Sequence, residues 1–313
     1  MLLLLSALPG AEPMPPNRAW DMTVTVDGQP LEVRVRAPLL ADGPCPVILF
    51  SHGLGGSREG YWPLAEAWAS AGFVVIQPTH AGSDTQTLKA AGYFGFAAAA
   101  RQAASDPRIL AGRPQLLSRL IDLLPLIQAR LSDFHGTLDA ARIGVGGHSY
   151  GAWTTLAVAG VDYRIANASD TRPLAFLALS PPGPGRVPPT TAAALRPILV
   201  MSGSEDYQPA FLDPEDGIER NPAWRERLWE LLPAGNAFLA VLSKAHHSAF
   251  SAGQGARLSG EPAPEPWMGE ALATITITWW RAQLCHDPTA LGELRSGEAV
   301  PADDRQRVRW QQR

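Results

Sequence analysis

Unbroken runs of apolar residues punctuate this chain, and between them lie stretches whose apolar positions recur at helical spacing. The runs are Pro46–Phe50, Phe73–Ile76, Ile143–Val145, Leu174–Ala178 and Ile198–Met201. Strands have this character when helices cover both faces of a parallel sheet, because neither face then has to be polar. Tyr61–Ala71 and Leu116–Leu131 carry the helical period between them. The alternation of strand and helix predicts an α/β protein with a doubly wound, mainly parallel sheet and helices on both faces. Ahead of it, Met22–Val26 and Leu31–Arg36 alternate apolar and polar residues around Asp27-Gly28, which predicts an entry hairpin. Phe238–Leu242 is expected as the last strand and Trp267–Leu284 as a closing helix.

With 313 residues the chain is long enough for one large α/β domain, and no shift in composition divides it. A single domain is therefore expected over residues 17–296. Its stretch from about 82 to 139 is longer than a simple crossover and mostly helical in pattern, an insertion able to wall off a site. Pro181–Gly185 and Pro188-Pro189 predict an irregular excursion near the edge where ligands bind. Residues 297–313 read as a polar, loosely ordered C-terminal tail. Residues 1–16 read as an apolar leader or truncated signal: Leu2-Leu3-Leu4-Leu5-Ser6-Ala7-Leu8 has the apolar core but no basic residues before it. On that reading a periplasmic or secreted location is favoured over a cytoplasmic one.

The net charge of -4 offers no basic footprint, so nucleic acid is not an expected partner. The 24 arginines against 2 lysines speak of base composition in the genome and not of function. Cys45 and Cys285 stand far apart without metal-type spacing, which predicts neither a zinc site nor a disulfide framework. No metal or other cofactor is expected. Polar residues interrupt the other apolar stretches, and no membrane span is predicted.

Chemistry enters with Gly147-His148-Ser149-Tyr150-Gly151. It follows the strand-like Arg142–Gly146 and precedes the apolar helical stretch Trp153–Val158, so it reads as a sharp strand-to-helix turn. Such a turn projects a serine hydroxyl towards a base and admits only glycine where other backbone approaches. With 29 glycines and 18 serines, chance alone supplies the pattern in about one such chain in seven. The decision therefore rests on partners for Ser149.

Three strand ends supply them. His246 and His247 follow the last predicted strand, and His247, which opens the turn His247-Ser248-Ala249-Phe250, is the expected base. Ser202-Gly203-Ser204-Glu205-Asp206 follows the strand Ile198–Met201. Gly203 lets the chain bend and Asp206, three residues on, is the expected acid, with Glu205 a surface charge; Asp213 and Asp216 lie too far past the strand. Ser51-His52-Gly53-Leu54-Gly55-Gly56 follows Pro46–Phe50, and the backbone amides of Leu54 and Tyr150 are the expected oxyanion donors. A glycine-rich turn serving only chain reversal is the alternative at this loop, and a phosphate cradle is a weaker one because no Gly-Lys-Ser or Gly-Lys-Thr follows.

Together these segments resemble the α/β-hydrolase superfamily, and more narrowly the bacterial dienelactone-hydrolase-related serine esterases and the platelet-activating-factor acetylhydrolases. Thr79-His80-Ala81-Gly82-Ser83-Asp84 and Arg113-Pro114 look like further elements of the bacterial group. The resemblance spans about Pro46 to Leu284 and implies the α/β-hydrolase fold, a serine triad and cofactor-free hydrolysis of carboxylic esters. Dienelactone hydrolases proper use a cysteine where this chain has Ser149. The acetylhydrolases usually have phenylalanine where this chain has Tyr150 and a second glycine where it has Ala152.

The expected activity is thus a serine carboxylic ester hydrolase acting through an acyl-enzyme on short-chain or aromatic esters of small molecules. An acyltransferase or a lipid acetylhydrolase would use the same triad, and a non-catalytic binding module would have to lack one of its members. His80, Trp153, Tyr207 and Phe250 are the residues expected to touch substrate. His135 and His148 are read as structural.

Overall fold

A computed structural model describes residues 15–185, 189–191, 196–209, 212, 218–251 and 261–313. The apolar leader up to residue 14, Pro188, Asp213 and Asp216 lie outside the described residues. The chain opens with the hairpin β1 (Asn17–Val26) and β2 (Gln29–Pro38), antiparallel around Asp27-Gly28 and longer than the alternating segments alone indicate. Then follow β3 (Pro44–Ser51), α1 (Trp62–Ser70) and β4 (Val74–Pro78). Residues 82–139 hold four helices: α2 (Thr85–Ala90), α3 (Gly92–Ser105), α4 (Pro107–Asp122) and α5 (Leu124–Gln128). Asp84 and Asp106 start α2 and α4 by accepting backbone N–H groups of the first turn.

Beyond the insertion come β5 (Thr137–His148), α6 (Tyr150–Ala159), β6 (Val161–Asp162), β7 (Ala175–Leu179), β8 (Thr190–Thr191) and β9 (Ile198–Gly203). The chain finishes with α7 (Pro222–Glu230), β10 (Ala237–Leu242), α8 (Pro266–Leu284), α9 (Pro288–Ser296) and β11 (Val308–Gln312). Among the described residues nine strands form one sheet in the order β1-β2-β4-β3-β5-β7-β9-β10-β11. From β4 to β10 every pairing is parallel. This is the mainly parallel, doubly wound sheet that the apolar runs predict.

Most of the runs divide between two cores, which explains why they do not alternate. Val47 and Leu49 pack on one face with Leu117, Leu120, Leu156 and Leu228, from α4, α6 and α7. Ile48 and Phe50 pack on the other with Trp68, Trp279, Trp280 and Leu294, from α1, α8 and α9. The same division separates Val200 from Met201 and Val241 from Leu242.

The C-terminal stretch corrects the sequence reading. The expected loose tail after Ser296 ends in β11, which pairs antiparallel with β10 and, in place of Phe238–Leu242, is the last strand among the described residues. Val308 is buried, the Trp310 indole donates to Leu294 O at 3.0 Å, and Arg309 pairs with Glu226 at 2.7 Å. An edge strand keeps one face and one hydrogen-bonding side in water, so its sequence is polar enough to resemble a tail. Cys45 and Cys285 are both free thiols. Among the described residues no helix is long and apolar enough to cross a membrane.

Candidate active site

The loops after β3, β5, β9 and β10 meet at the C-terminal edge of the sheet. Ser149 sits between β5 and α6 with φ 55° and ψ -116°, a conformation that costs a non-glycine residue about 1–3 kcal/mol and is held only by its surroundings. Close backbone packing supplies the hold. A Cβ on Gly151 would stand 1.9 Å from Ser51 O, and one on Gly147 would stand 2.3 Å from Gly151 O. The Ser149 N–H donates to Leu179 O at 2.9 Å, which fixes the turn to the end of β7.

His247 approaches from the end of β10. Its Nε2 is 2.9 Å from Ser149 Oγ and its Nδ1 is 2.8 Å from Asp206 Oδ1. The neighbouring His246 pairs instead with Glu205 at 3.0 Å, on the partly exposed side of the same turns. Asp206 and His247 are thus the pair that reaches the serine. Gly203 makes the first bend: a Cβ there would stand 2.0 Å from Ala245 O, so only glycine lets the loops after β9 and β10 pack together.

Asp206 is fully buried. Burial alone would raise its pKa, but the Arg225 guanidinium and His247 outweigh this and hold the carboxyl well below the usual range. Arg225 Nε lies 2.9 Å from Asp206 Oδ1, and its Nη1 donates to Ser180 O and Pro181 O. Ser202 Oγ donates to Asp206 Oδ2 at 3.1 Å. Ser180, with φ 48°, brings its Oγ to 2.7 Å from His247 Nδ1. The acid is therefore kept ionised and the imidazole kept oriented by residues that no local motif announces.

The loop after β3 abuts the serine turn. A Cβ on Gly53 would lie 3.3 Å from His148 O. Within this loop the His52 tautomer follows from its partners. The backbone N–H of His80 donates to His52 Nε2 at 2.9 Å, so the ring hydrogen sits on Nδ1 and is donated to Gly53 O at 2.6 Å. That bond pins the Gly53–Leu54 peptide, the unit that carries the Leu54 N–H. Burial, with Arg113 nearby, pushes the His52 pKa down to about 3, so the ring is neutral.

The residues expected to touch substrate divide. Tyr207 follows Asp206 and is 58% exposed, and Trp153 is half-buried beside Tyr150, with ring centroids 5.6 Å apart. Phe250 and His80 are corrections: they are 1% and 2% exposed, which leaves no surface for a ligand. Phe250 belongs to the core beneath α8 and stacks on His148, and His80 is spent on a 2.9 Å hydrogen bond to Ser51 Oγ. Residue type marked both, but the face of the turn on which each falls is set by tertiary packing. Among the described residues no group of three or more His, Cys, Asp or Glu is arranged to hold a metal ion.

Comparison with known proteins agrees with this architecture. Residues 17–94, about a quarter of the chain, match the family described as platelet-activating factor acetylhydrolase, isoform II. No curated protein matches the chain. A ferulic acid esterase from Streptomyces cinnamoneus is similar in structure, with a TM-score of 0.63 and 16% identity over 98% of each chain. A putative dienelactone hydrolase from Klebsiella pneumoniae subsp. pneumoniae has a TM-score of 0.54 and 16% identity over 85% of this chain and 98% of its own. The chain has the α/β-hydrolase fold, and it resembles the platelet-activating-factor acetylhydrolases and dienelactone hydrolases.

Proposed function

We propose that this protein is a serine hydrolase that cleaves small carboxylic esters through an acyl-enzyme. The observation that carries the reading is the continuous line from Asp206 Oδ1 through His247 to Ser149 Oγ, at 2.8 and 2.9 Å, ending on a strained turn at the sheet edge. In the reaction His247 Nε2 takes the Ser149 proton as Oγ attacks the ester carbonyl. Asp206, ionised beside Arg225, holds the Nδ1–H and stabilises the imidazolium without taking its proton. The amides of Leu54 and Tyr150 receive the oxyanion at the N-terminal end of α6, whose dipole has the same sign of effect. The protonated His247 then gives its proton to the departing alcohol, and water activated by the same nitrogen releases the acid.

Short-chain or aromatic acyl and alcohol groups fit the surface available. Exposed Tyr207, next to Asp206, and half-buried Trp153, in the first turn of α6 after Ser149, supply aromatic surface close to the triad in sequence. The ferulic acid esterase that shares the fold is named for an aromatic acid, which supports the same choice. The test is Ser149→Ala assayed on p-nitrophenyl acetate, with circular dichroism to verify folding. Turnover is expected to vanish, and a fluorophosphonate is expected to label the parent protein at Ser149 only. Retained turnover in the variant would sink the assignment.

A further inference from the structure

Arg113, on α4, is 2% exposed and makes no use of a carboxylate. Its Nε donates to Thr154 Oγ1 at 3.0 Å, its Nη1 to Ser83 Oγ at 2.7 Å, and its Nη2 to Ser51 Oγ at 3.0 Å and to His52 O. All four acceptors are neutral. Among the described residues no Asp or Glu lies within ion-pair distance of it, whereas the other deeply buried arginine, Arg225, has Asp206. The neighbouring imidazoles of His52 and His80 are held neutral by burial and by Arg113 itself. Burial pushes the guanidinium pKa down to about 10, which still leaves it charged at neutral pH.

A buried, charged group without a counter-ion costs several kcal/mol in general, and folds retain one where function compensates. The position of this one is informative. It bonds the carbonyl of His52, two residues before Leu54, and its Cζ lies 4.4 Å from the ring centroid of Tyr150. Those are the neighbours of both proposed oxyanion donors. The anion the proposed reaction develops there in its transition states is the tetrahedral oxygen.

We infer that Arg113 is a positioning residue whose buried positive charge lies behind the oxyanion loop and is balanced when the tetrahedral oxyanion forms on Ser149. The inference rests on the acyl-enzyme reading above. Neutral substrate feels the charge weakly and the anionic transition state feels it strongly, so Arg113 acts on kcat and hardly on KM.

The experiment compares the parent protein with Arg113→Gln, which keeps hydrogen-bonding groups without charge, and Arg113→Lys, which keeps charge without the planar fork. Each is assayed on p-nitrophenyl acetate and for inhibition by phenylboronic acid, which forms an anionic tetrahedral adduct with a reactive serine. Arg113→Gln is expected to lose about 10- to 30-fold in kcat and the same factor in boronate affinity, with KM within about twofold. Arg113→Lys is expected to stay within about threefold of the parent. Equal losses in the two variants, or a loss in KM that matches the loss in kcat, overturn the role of charge. Should Arg113→Gln not fold, Arg113→Lys decides alone: a loss beyond about 30-fold overturns the inference. If the parent protein neither turns over the ester nor binds the boronate, the acyl-enzyme reading itself has failed. If it does both and the variants match it, only the role of Arg113 has failed.

Discussion

The hydroxyl of Tyr61 lies 2.8 Å from Nδ1 of His148, deep between the loop after β3 and the turn after β10. The same hydroxyl accepts the Gly53 N–H at 3.1 Å, and His148 Nε2 is 3.1 Å from His247 O. A carbonyl only accepts, so the His148 hydrogen sits on Nε2 and Nδ1 receives the Tyr61 proton. Burial pushes the tyrosine pKa up to about 12 and keeps that proton in place. One unbroken run of hydrogen bonds thus ties the backbone just before Leu54 to the backbone of His247.

Tyr61→Phe removes the hydroxyl and keeps the ring. The Gly53 N–H and His148 Nδ1 then lose their partner in a place without water, at a cost of about 1–3 kcal/mol each. Urea unfolding is expected to register a loss of about 2–6 kcal/mol in total. The two proposed ends of the site are also expected to drift apart, with kcat falling by about 3- to 10-fold while KM changes little. Unchanged stability would mean that these groups find other partners.

Three buried histidines set a pH dependence. His52, His80 and His148 each have a pKa lowered by burial, His52 to about 3 and the others well below the ordinary value of 6.5. The unfolded chain binds a proton at each near pH 6.5, and the folded protein does not. Their contribution is therefore intact above pH 6.5 and is lost as pH falls towards the folded values, by about 1.4 kcal/mol per residue per pH unit once well below 6.5. Between pH 7.5 and 5 the three together predict a steady fall in stability. Urea unfolding at several pH values measures it, and His80→Gln is expected to reduce the slope by about one third. A flat profile over that range would contradict neutral, buried imidazoles.

The sequence exposed the parts of this molecule that are local. Strands buried on both faces are continuous apolar runs, and a turn residue at a fixed offset from a strand end can be read off: Ser149 after β5, Asp206 three residues past Gly203, His247 after β10. What it concealed depends on residues meeting from afar. Arg225 is 19 positions from Asp206, Ser180 67 from His247, and Arg113 62 from Ser51. Arg113-Pro114 stands out only as a resemblance that gives Arg113 no role, and nothing around Arg225 distinguishes it from the other arginines until the fold removes it from water. His80 and Phe250 failed as pocket residues for the complementary reason, since a turn has two sides and composition does not say which one is wet.

Gly151 offers the sharpest check on how the serine turn is built. Its backbone is ordinary helix at the start of α6, so the demand for glycine comes from close approach and not from a left-handed conformation. An alanine Cβ there would lie 1.9 Å from Ser51 O and 2.8 Å from His52 O, both main-chain atoms of β3 and its loop. Neither has a flexible end that can swing aside, so the turn and the loop would have to separate. At Gly146, on the same strand as the turn, the nearest atom is Phe50 Cδ2 at 3.3 Å, a contact that small adjustments relieve. Gly151→Ala is therefore expected to cost more than about 3 kcal/mol or to prevent folding, and any folded fraction is expected to be inactive. Gly146→Ala is expected to cost about 1 kcal/mol and to retain ester hydrolysis. Thermal unfolding and a p-nitrophenyl acetate assay of both variants separate the cases. Equal tolerance at the two positions would show that the loop bearing Leu54 is not held against the serine turn by backbone contact.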